Sequence, residues 1–183
     1  PGAAVEHGVA PATYRVRLSL PDPRPRVSIV IPTRNGLDIL RRCIESIRTL
    51  STYDDYEIIV VDNQSDESAT KDYLALLAGQ PDTRVIAYDA PFNYSAINNL
   101  AVREATGEYV VLLNNDTQVV TPGWIEELLM WCSRPGVGTV GARLSYPDGS
   151  VQHAGLVMGI GGTAGHAHKN YDARSLGYFG RLH

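Results

Sequence analysis

The sequence predicts an α/β domain: a mostly parallel sheet with helices on both faces. Two observations carry this. Short runs rich in β-branched residues begin near positions 27, 57, 84, 109 and 137. Segments between them place apolar residues at helical spacing, and repeated strand–helix–strand steps of that length build a parallel sheet. The 183-residue chain is 44% hydrophobic and 20% charged, which is globular composition on a length that supports one sizeable core.

Each element follows from its own residues. Residues 1–26 hold five prolines and one alternating stretch, Tyr14-Arg15-Val16-Arg17-Leu18, and read as an extended arm with an edge strand. Val27-Ser28-Ile29-Val30-Ile31 reads as a buried strand stopped by Pro32. Leu40, Cys43, Ile44 and Ile47 form the stripe of an amphipathic helix. Glu57–Val61 is a second strand, and Leu74 and Leu77 mark a second helix ending at Gly79. Arg84–Ala87 is a third strand. Ser95 is the expected N-cap of a third helix with Ile97, Leu100, Ala101 and Ala105 on its face, closed by Gly107. Tyr109–Leu113 is the fourth strand. Thr121 and Pro122 open a fourth helix lined by Ile125, Leu128, Leu129 and Cys132. Val137–Gly141 is expected to form a fifth strand.

After Gly141 the rhythm changes. Tyr146-Pro147-Asp148-Gly149 is a turn signal between Ala142–Ser145 and Val151–His153. Residues 159–183 are rich in glycine and histidine and show no helical stripe. The ending Arg181-Leu182-His183 supplies no closing element, so the domain is expected to continue past residue 183, with 27–183 an incomplete portion of it.

Composition excludes several classes. Sixteen Lys and Arg against 20 Asp and Glu give a net charge of −4, which argues against nucleic acid as a partner. No apolar run approaches the roughly 18 residues of a membrane span, and the N-terminus lacks a signal-peptide pattern. Cys43 and Cys132 make neither a disulfide framework nor a zinc site and fit a reducing cytoplasm.

In open parallel sheets ligands bind beyond the carboxyl ends of the strands. Three such ends are unusually polar: Pro32-Thr33-Arg34-Asn35-Gly36, Asp62-Asn63-Gln64-Ser65-Asp66 and Asn114-Asn115-Asp116-Thr117. Asp116 follows an apolar strand, with Asn114 two residues earlier on the same face by strand alternation. Hard oxygen ligands there suit Mg²⁺ or Mn²⁺ shared with a diphosphate; capping of the turn and the next helix is the competing reading. Asp62 either caps its own loop or accepts hydrogen bonds from a base or ribose. Arg34 either pairs with phosphate or is simply solvated.

Together, VSIVIPTRN (27–35), IIVVDNQS (58–65), NNLAVREATGEYVVLLNND (98–116) and GARLSYPDGSVQHAG (141–155) resemble the family 2 glycosyltransferases, over about residues 25–168. The resemblance implies a GT-A fold, a nucleotide-diphospho-sugar donor, a divalent metal (Mg²⁺ or Mn²⁺), and hexosyl or deoxyhexosyl transfer with inversion. It implies a glycan or lipid-linked acceptor, polysaccharide biosynthesis, and peripheral association with the cytoplasmic face of the plasma membrane where acceptors are lipid-linked. By position it places Pro32, Thr33 and Arg34 around the nucleotide base and Asp62 on the base or ribose. Asn98 and Asn99 then face the nucleotide, Asn114 and Asn115 stand in the Asp-x-Asp motif, Asp116 ligates the metal, and His153 lies near the donor sugar.

Two departures stand out. Asn114 replaces the leading aspartate of the motif, which lowers the charge offered to a metal. An inverting transfer needs a general base, and the family's acidic motif has no counterpart from 142 to 183, where only Asp148 and Asp172 are carboxylates. The base is therefore expected beyond the chain end, with this chain mainly the donor-binding half.

Rival readings are few. Gly159-Ile160-Gly161-Gly162-Thr163-Ala164 fits a loose dinucleotide fingerprint, yet no helical stripe follows it. His166 and His168 would share a face, and so could share a metal, if they lay in one strand; the competing reading is a solvated tail. A non-catalytic nucleotide-sugar-binding module is the main alternative to an enzyme.

Overall fold

The computed structural model describes residues 2–8, 11–177 and 182; the sequence reading of the chain end, Arg181 to His183, falls largely outside them. The chain divides into two compact units, one of residues 21–126 and one joining residues 1–20 to 127–183.

The chain opens with β1 (Ala3–His7) and β2 (Tyr14–Leu18), then runs through β3 (Val27–Thr33), α1 (Leu37–Leu50), β4 (Tyr56–Asp62), α2 (Ser68–Ala78), β5 (Thr83–Ala87), α3 (Tyr94–Glu104), β6 (Tyr109–Leu112) and α4 (Trp124–Cys132). In the first unit the four parallel strands lie in the order β5-β4-β3-β6. The chain steps from β3 to β4 to β5 on one side, then α3 carries it back across to β6 on the other. Strand order therefore reverses between β3 and β6, the switch point where open sheets gather ligands.

Burial follows the apolar pattern. Ile29, Val30, Ile31 and Ile58–Val61 are fully buried, as both-face burial of a parallel sheet requires. Val30, Ile59 and Val61 pack with Ile97 and Ala101 of α3, and the α1 stripe Leu40, Cys43, Ile44 and Ile47 is fully buried as expected. Pro32 does not stop β3, which continues to Thr33. The Val30 carbonyl accepts from Leu113 on the β6 side, and alternation turns the Pro32 nitrogen the same way. There β6 has already ended, so the missing N–H costs no ladder bond.

Near the strand starts, Glu57 of β4 is buried and accepts four hydrogen bonds. They come from Ser28 Oγ at 2.6 Å, Thr106 N at 2.7 Å, Thr106 Oγ1 at 2.8 Å and Arg84 Nη2 at 2.9 Å. Desolvation pushes its pKa up, but these donors and the Arg84 charge outweigh it and bring the carboxyl from 4.5 down to about 2. Gly107 donates to Ser28 Oγ at 2.9 Å, and a β-carbon there would lie 2.6 Å from Ser28 N and 2.8 Å from Val27 C. Its absent side chain permits this close backbone approach, a different reason from closing α3.

Two expectations are corrected. The N-cap of α3 is Asn93, whose Oδ1 accepts from Ala96 N at 3.0 Å; Ser95 lies two residues too late to reach an unpaired N–H. Val137–Gly141 forms no strand and is mostly exposed. Gly138 and Gly141 weaken strand formation, and a parallel strand needs cover on both faces. The sheet of the first unit therefore has four strands, where five were expected.

Among its described residues the second unit contains three antiparallel hairpins. β1 pairs with β2, and Arg15 and Arg17 of β2 both bind Glu127. β7 (Leu144–Ser145) pairs with β8 (Val151–His153) around the expected turn, closed by Tyr146 N to Ser150 O at 2.8 Å. β9 (Leu156–Met158) pairs with β10 (Ala164–His166). Gly159–Thr163 forms the tip of that hairpin around a 3-10 turn at Ile160–Gly162, so the dinucleotide-like glycines open no helix.

Candidate functional site

The parallel ladders end together. Thr33 pairs with Asp62, and Asp62 with Ala87, so the loops after β3, β4 and β5 leave one edge side by side. The three polar loops foreseen from sequence follow β3, β4 and β6, and hydrogen bonds tie the end of β3 to both of the others.

After β3, Arg34 is exposed, whereas Asn35 is half-buried and turns into the next loop. Its Nδ2 donates to Asp66 Oδ1 at 2.6 Å, and its Oδ1 accepts from Asp66 N at 2.9 Å and Glu67 N at 3.1 Å. Its backbone N–H donates to Ser65 Oγ at 2.8 Å, and Gly36 N donates to Glu67 Oε2 at 3.2 Å. Asp62 is half-buried at the end of β4, and its Oδ1 accepts from Ser65 N at 3.0 Å. It braces its own loop, leaving the N-cap of α2 to Glu67. Asn63 is buried and donates to the carbonyls of Tyr88 and Ala90 at 3.1 and 2.9 Å, fixing the loop after β5.

β6 ends at Leu112, before Asn114. Residues 114–117 form a turn closed by Thr117 N to the Asn114 carbonyl at 3.2 Å, so Asn114 and Asp116 are displayed by a turn and strand alternation does not reach them. Both are exposed. Asn115 is half-buried, and its Nδ2 donates to Thr33 Oγ1 at 3.0 Å. That bond joins the ends of β3 and β6 across the switch point. Beneath the turn, Cys43 Sγ lies 3.8 Å from the Asn114 carbonyl. Burial, with a smaller contribution from the Asp116 charge, pushes this thiol up to about 12.

Two depressions flank β5. One of about 300 Å³ has Asp62, Lys71, Ala75 and Val85 in its lining; the other, about 520 Å³, has Tyr88, Asp89, Asn99 and Arg103. Asn99 thus lines a concave surface. Its neighbour Asn98 is buried in α3, donating to the Tyr94 carbonyl at 2.8 Å.

In the second unit, His153 and His166 place their Nδ1 atoms 2.8 Å apart. His168 lies beyond β10 with φ +57° and stacks edge-on against Tyr171, so His166 and His168 do not share a strand face. Among the described residues no three His, Cys, Asp or Glu form a ready metal cluster. A single exposed carboxylate with a neighbouring amide suits Mg²⁺ or Mn²⁺ whose remaining ligands come from phosphate oxygens and water.

Asn35 is the residue the sequence reading missed as part of the site. The available signal was an Asn-Gly pair directly after a buried strand, since asparagine tolerates the left-handed region (here φ +55°).

Comparison with known proteins places this geometry. Residues 28–171 match the model of the glycosyl transferase family 2, and the chain belongs to that family. It is 47% identical over 96% of its length to an uncharacterized protein, y4gI, of Sinorhizobium fredii, of which it covers 19%. It is 43% identical over 86% of its length to the O-antigen biosynthesis protein RfbC of Myxococcus xanthus, of which it covers 12%. The chain therefore spans a fifth or less of these two relatives. Among solved structures it resembles the mannosyltransferase PcManGT of Pyrobaculum calidifontis in complex with GDP-Man and Mn²⁺. The TM-score is 0.58 at 25% identity, over 72% of this chain and 40% of that one. The four-stranded parallel sheet flanked by helices is thus the GT-A fold expected from sequence.

Proposed function

We propose that this chain is the donor-binding portion of an inverting, metal-assisted glycosyltransferase that takes a sugar from a nucleotide-diphospho-sugar. The observation that carries the reading is the cross-linked trio of loops displaying Arg34, Asp62, Asn114 and Asp116 around the switch point. Membership of family 2 and the likeness to a mannosyltransferase holding GDP-Man and Mn²⁺ support it.

Each residue has a role its chemistry allows. Asp62 accepts a hydrogen bond from the base or ribose, and the exposed guanidinium of Arg34 faces phosphate charge. Asn114 offers an amide to a ribose hydroxyl. Asp116 is the protein ligand for Mg²⁺ or Mn²⁺, and such an ion neutralises charge on a departing diphosphate. Thr33, Asn115 and Asn63 hold these groups in place.

The general base belongs to another part of the longer protein. Asp148 Oδ1 accepts from Ser150 N and Oγ at 2.8 and 2.7 Å, and these bonds hold its carboxyl below the usual range. Asp172 Oδ1 accepts from Arg174 N at 2.7 Å. Both carboxylates serve turns, which also favours the second reading, a module that binds nucleotide sugar without catalysis. The relationship to an O-antigen biosynthesis protein supports hexosyl or deoxyhexosyl transfer to a glycan or lipid-linked acceptor. On this reading the longer protein works at the cytoplasmic face of the membrane. Among the described residues no helix is long and apolar enough to cross one.

Calorimetric titration with UDP, GDP and dTDP, each with and without Mn²⁺, tests the donor site. One nucleotide is expected to bind in a metal-dependent way, with Asp116→Ala weakening it by at least about tenfold through loss of a charged ligand. A folded chain that binds none of the three overturns the reading. Transfer activity of the longer protein separates enzyme from binding module.

A further inference from the structure

We infer that Asn35 is a positioning residue for donor binding, setting the gap between the loops after β3 and β4 and, through Ser65, the aim of the Asp62 carboxylate. The inference rests on the donor-site reading above and assigns a function to a residue that reading does not use.

The geometry is specific. Asn35 spends its whole side chain on the neighbouring loop: Nδ2 on the Asp66 carboxylate, Oδ1 on two successive backbone N–H groups at the entry to α2. Those N–H groups would otherwise lack partners at the helix start. Its backbone N–H holds Ser65 Oγ, and the Ser65 N–H in turn holds Asp62 Oδ1. A two-bond relay therefore runs from the Asn35 backbone to the carboxylate proposed to meet the nucleoside, and the side-chain bonds to Asp66 and Glu67 fix where that backbone N–H sits against Ser65. On the other flank, Thr33, two residues before Asn35, receives Asn115 from the turn that displays Asp116. Asn35 itself is half-buried and points between loops, so it serves by fixing groups that do the contacting.

The amide chemistry is what matters, because the group at 35 must donate to Asp66 while accepting from Asp66 N and Glu67 N, and a carboxamide does both at every pH. An aspartate at 35 keeps the acceptor half, but it sets a second carboxylate against Asp66 where the hydrogen bond now spans 2.6 Å. Two carboxylates this close share one proton only when the pH falls. The charges acting on Asp66 are Arg34 and Lys71, which favour the ionised form; Asp62 and Glu67 are the other carboxylates of the adjoining loop.

The test compares wild type, Asn35→Gly and Asn35→Asp. Glycine keeps the left-handed backbone and removes only the side chain. Thermal unfolding establishes that each variant is folded at the titration temperature. Binding of the nucleotide that wild type takes, with Mn²⁺, is measured by calorimetry from about pH 5 to about pH 8.5, the range over which a paired carboxyl gains its proton. Asn35→Gly is expected to bind about tenfold more weakly at every pH, the loss of a few loop-ordering hydrogen bonds. Asn35→Asp is expected to match that loss at high pH and to approach wild type as pH falls, when each value is taken as a ratio to wild type at the same pH.

Variants that bind as wild type does overturn the inference and leave the donor reading standing. Two variants equally weakened at all pH values also overturn it, because a merely structural role has no reason to recover on protonation. Failure of wild type to bind any of the three nucleotides overturns the donor reading, and the inference with it.

Discussion

The two ends of one sheet use polar residues in opposite ways. Near the strand starts, Ser28, Arg84 and Thr106 satisfy the buried Glu57, and four hydrogen bonds converge on that one carboxylate. Beyond the strand ends, amides and hydroxyls brace the loops while leaving Arg34, Asn114 and Asp116 exposed. The buried Oδ1 atoms of Asn63 and Asn98 have no hydrogen-bond partner among the described residues. Polar groups that exhaust one another fix a backbone; groups with bonding capacity to spare can receive a ligand. Polarity alone therefore marks neither end as functional, and the distinction lies in what each group has left to give.

The comparison can be broken most sharply at the starting end. Gly107→Val drives a side chain into the backbone of Val27 and Ser28, contacts that cannot yield without moving β3. A loss of about 3–5 kcal/mol is expected from such overpacking of a buried backbone contact, read by urea denaturation. An unchanged midpoint would mean that the close approach is not needed.

Glu57→Gln is next. The folded carboxyl titrates at about 2 against an ordinary 4.5, so its contribution is complete above the unfolded value and disappears as pH falls through the folded one. Wild type should exceed the variant by about 2–3 kcal/mol at neutral pH, the difference shrinking between about pH 5 and about pH 2. A gap that does not vary with pH would place the cost in shape rather than charge.

The finishing end should respond the other way. Asp116→Ala removes an exposed side chain, so stability is expected to stay within about 0.5 kcal/mol while metal-dependent nucleotide binding is lost. The smallest effect sharpens the boundary between core and site. Cys43 lies fully buried beneath the Asn114–Thr117 turn with its thiol pushed up to about 12, so a thiol reagent at mildly alkaline pH should modify half-buried Cys132 first. Cys43 should react only on unfolding. Equal native rates would show that the turn opens.

Much of this was legible in the sequence. The four parallel strands, the α1 stripe, the Tyr146–Gly149 turn and the three polar strand ends all follow from local periodicity and turn chemistry, which report which side of an element avoids water. Periodicity misled at Val137–Gly141, where a strand-like run carries two glycines and finds no cover. It also misled at Asn114–Asp116, where the strand stops early and a turn sets the display.

Tertiary structure alone decided the rest. Asn35 meets Asp66 across 31 positions, Asn115 meets Thr33 across 82, and Gly107 meets Ser28 across 79. No local pattern encodes such a pair, because each depends on the strand order that brings one loop beside another. The sequence by itself determined the elements and the polar character of their ends. The order β5-β4-β3-β6 decided which of those polar residues are spent on one another and which remain for a ligand, since a hydrogen bond needs its partner within about 3 Å and only the assembled sheet sets that distance.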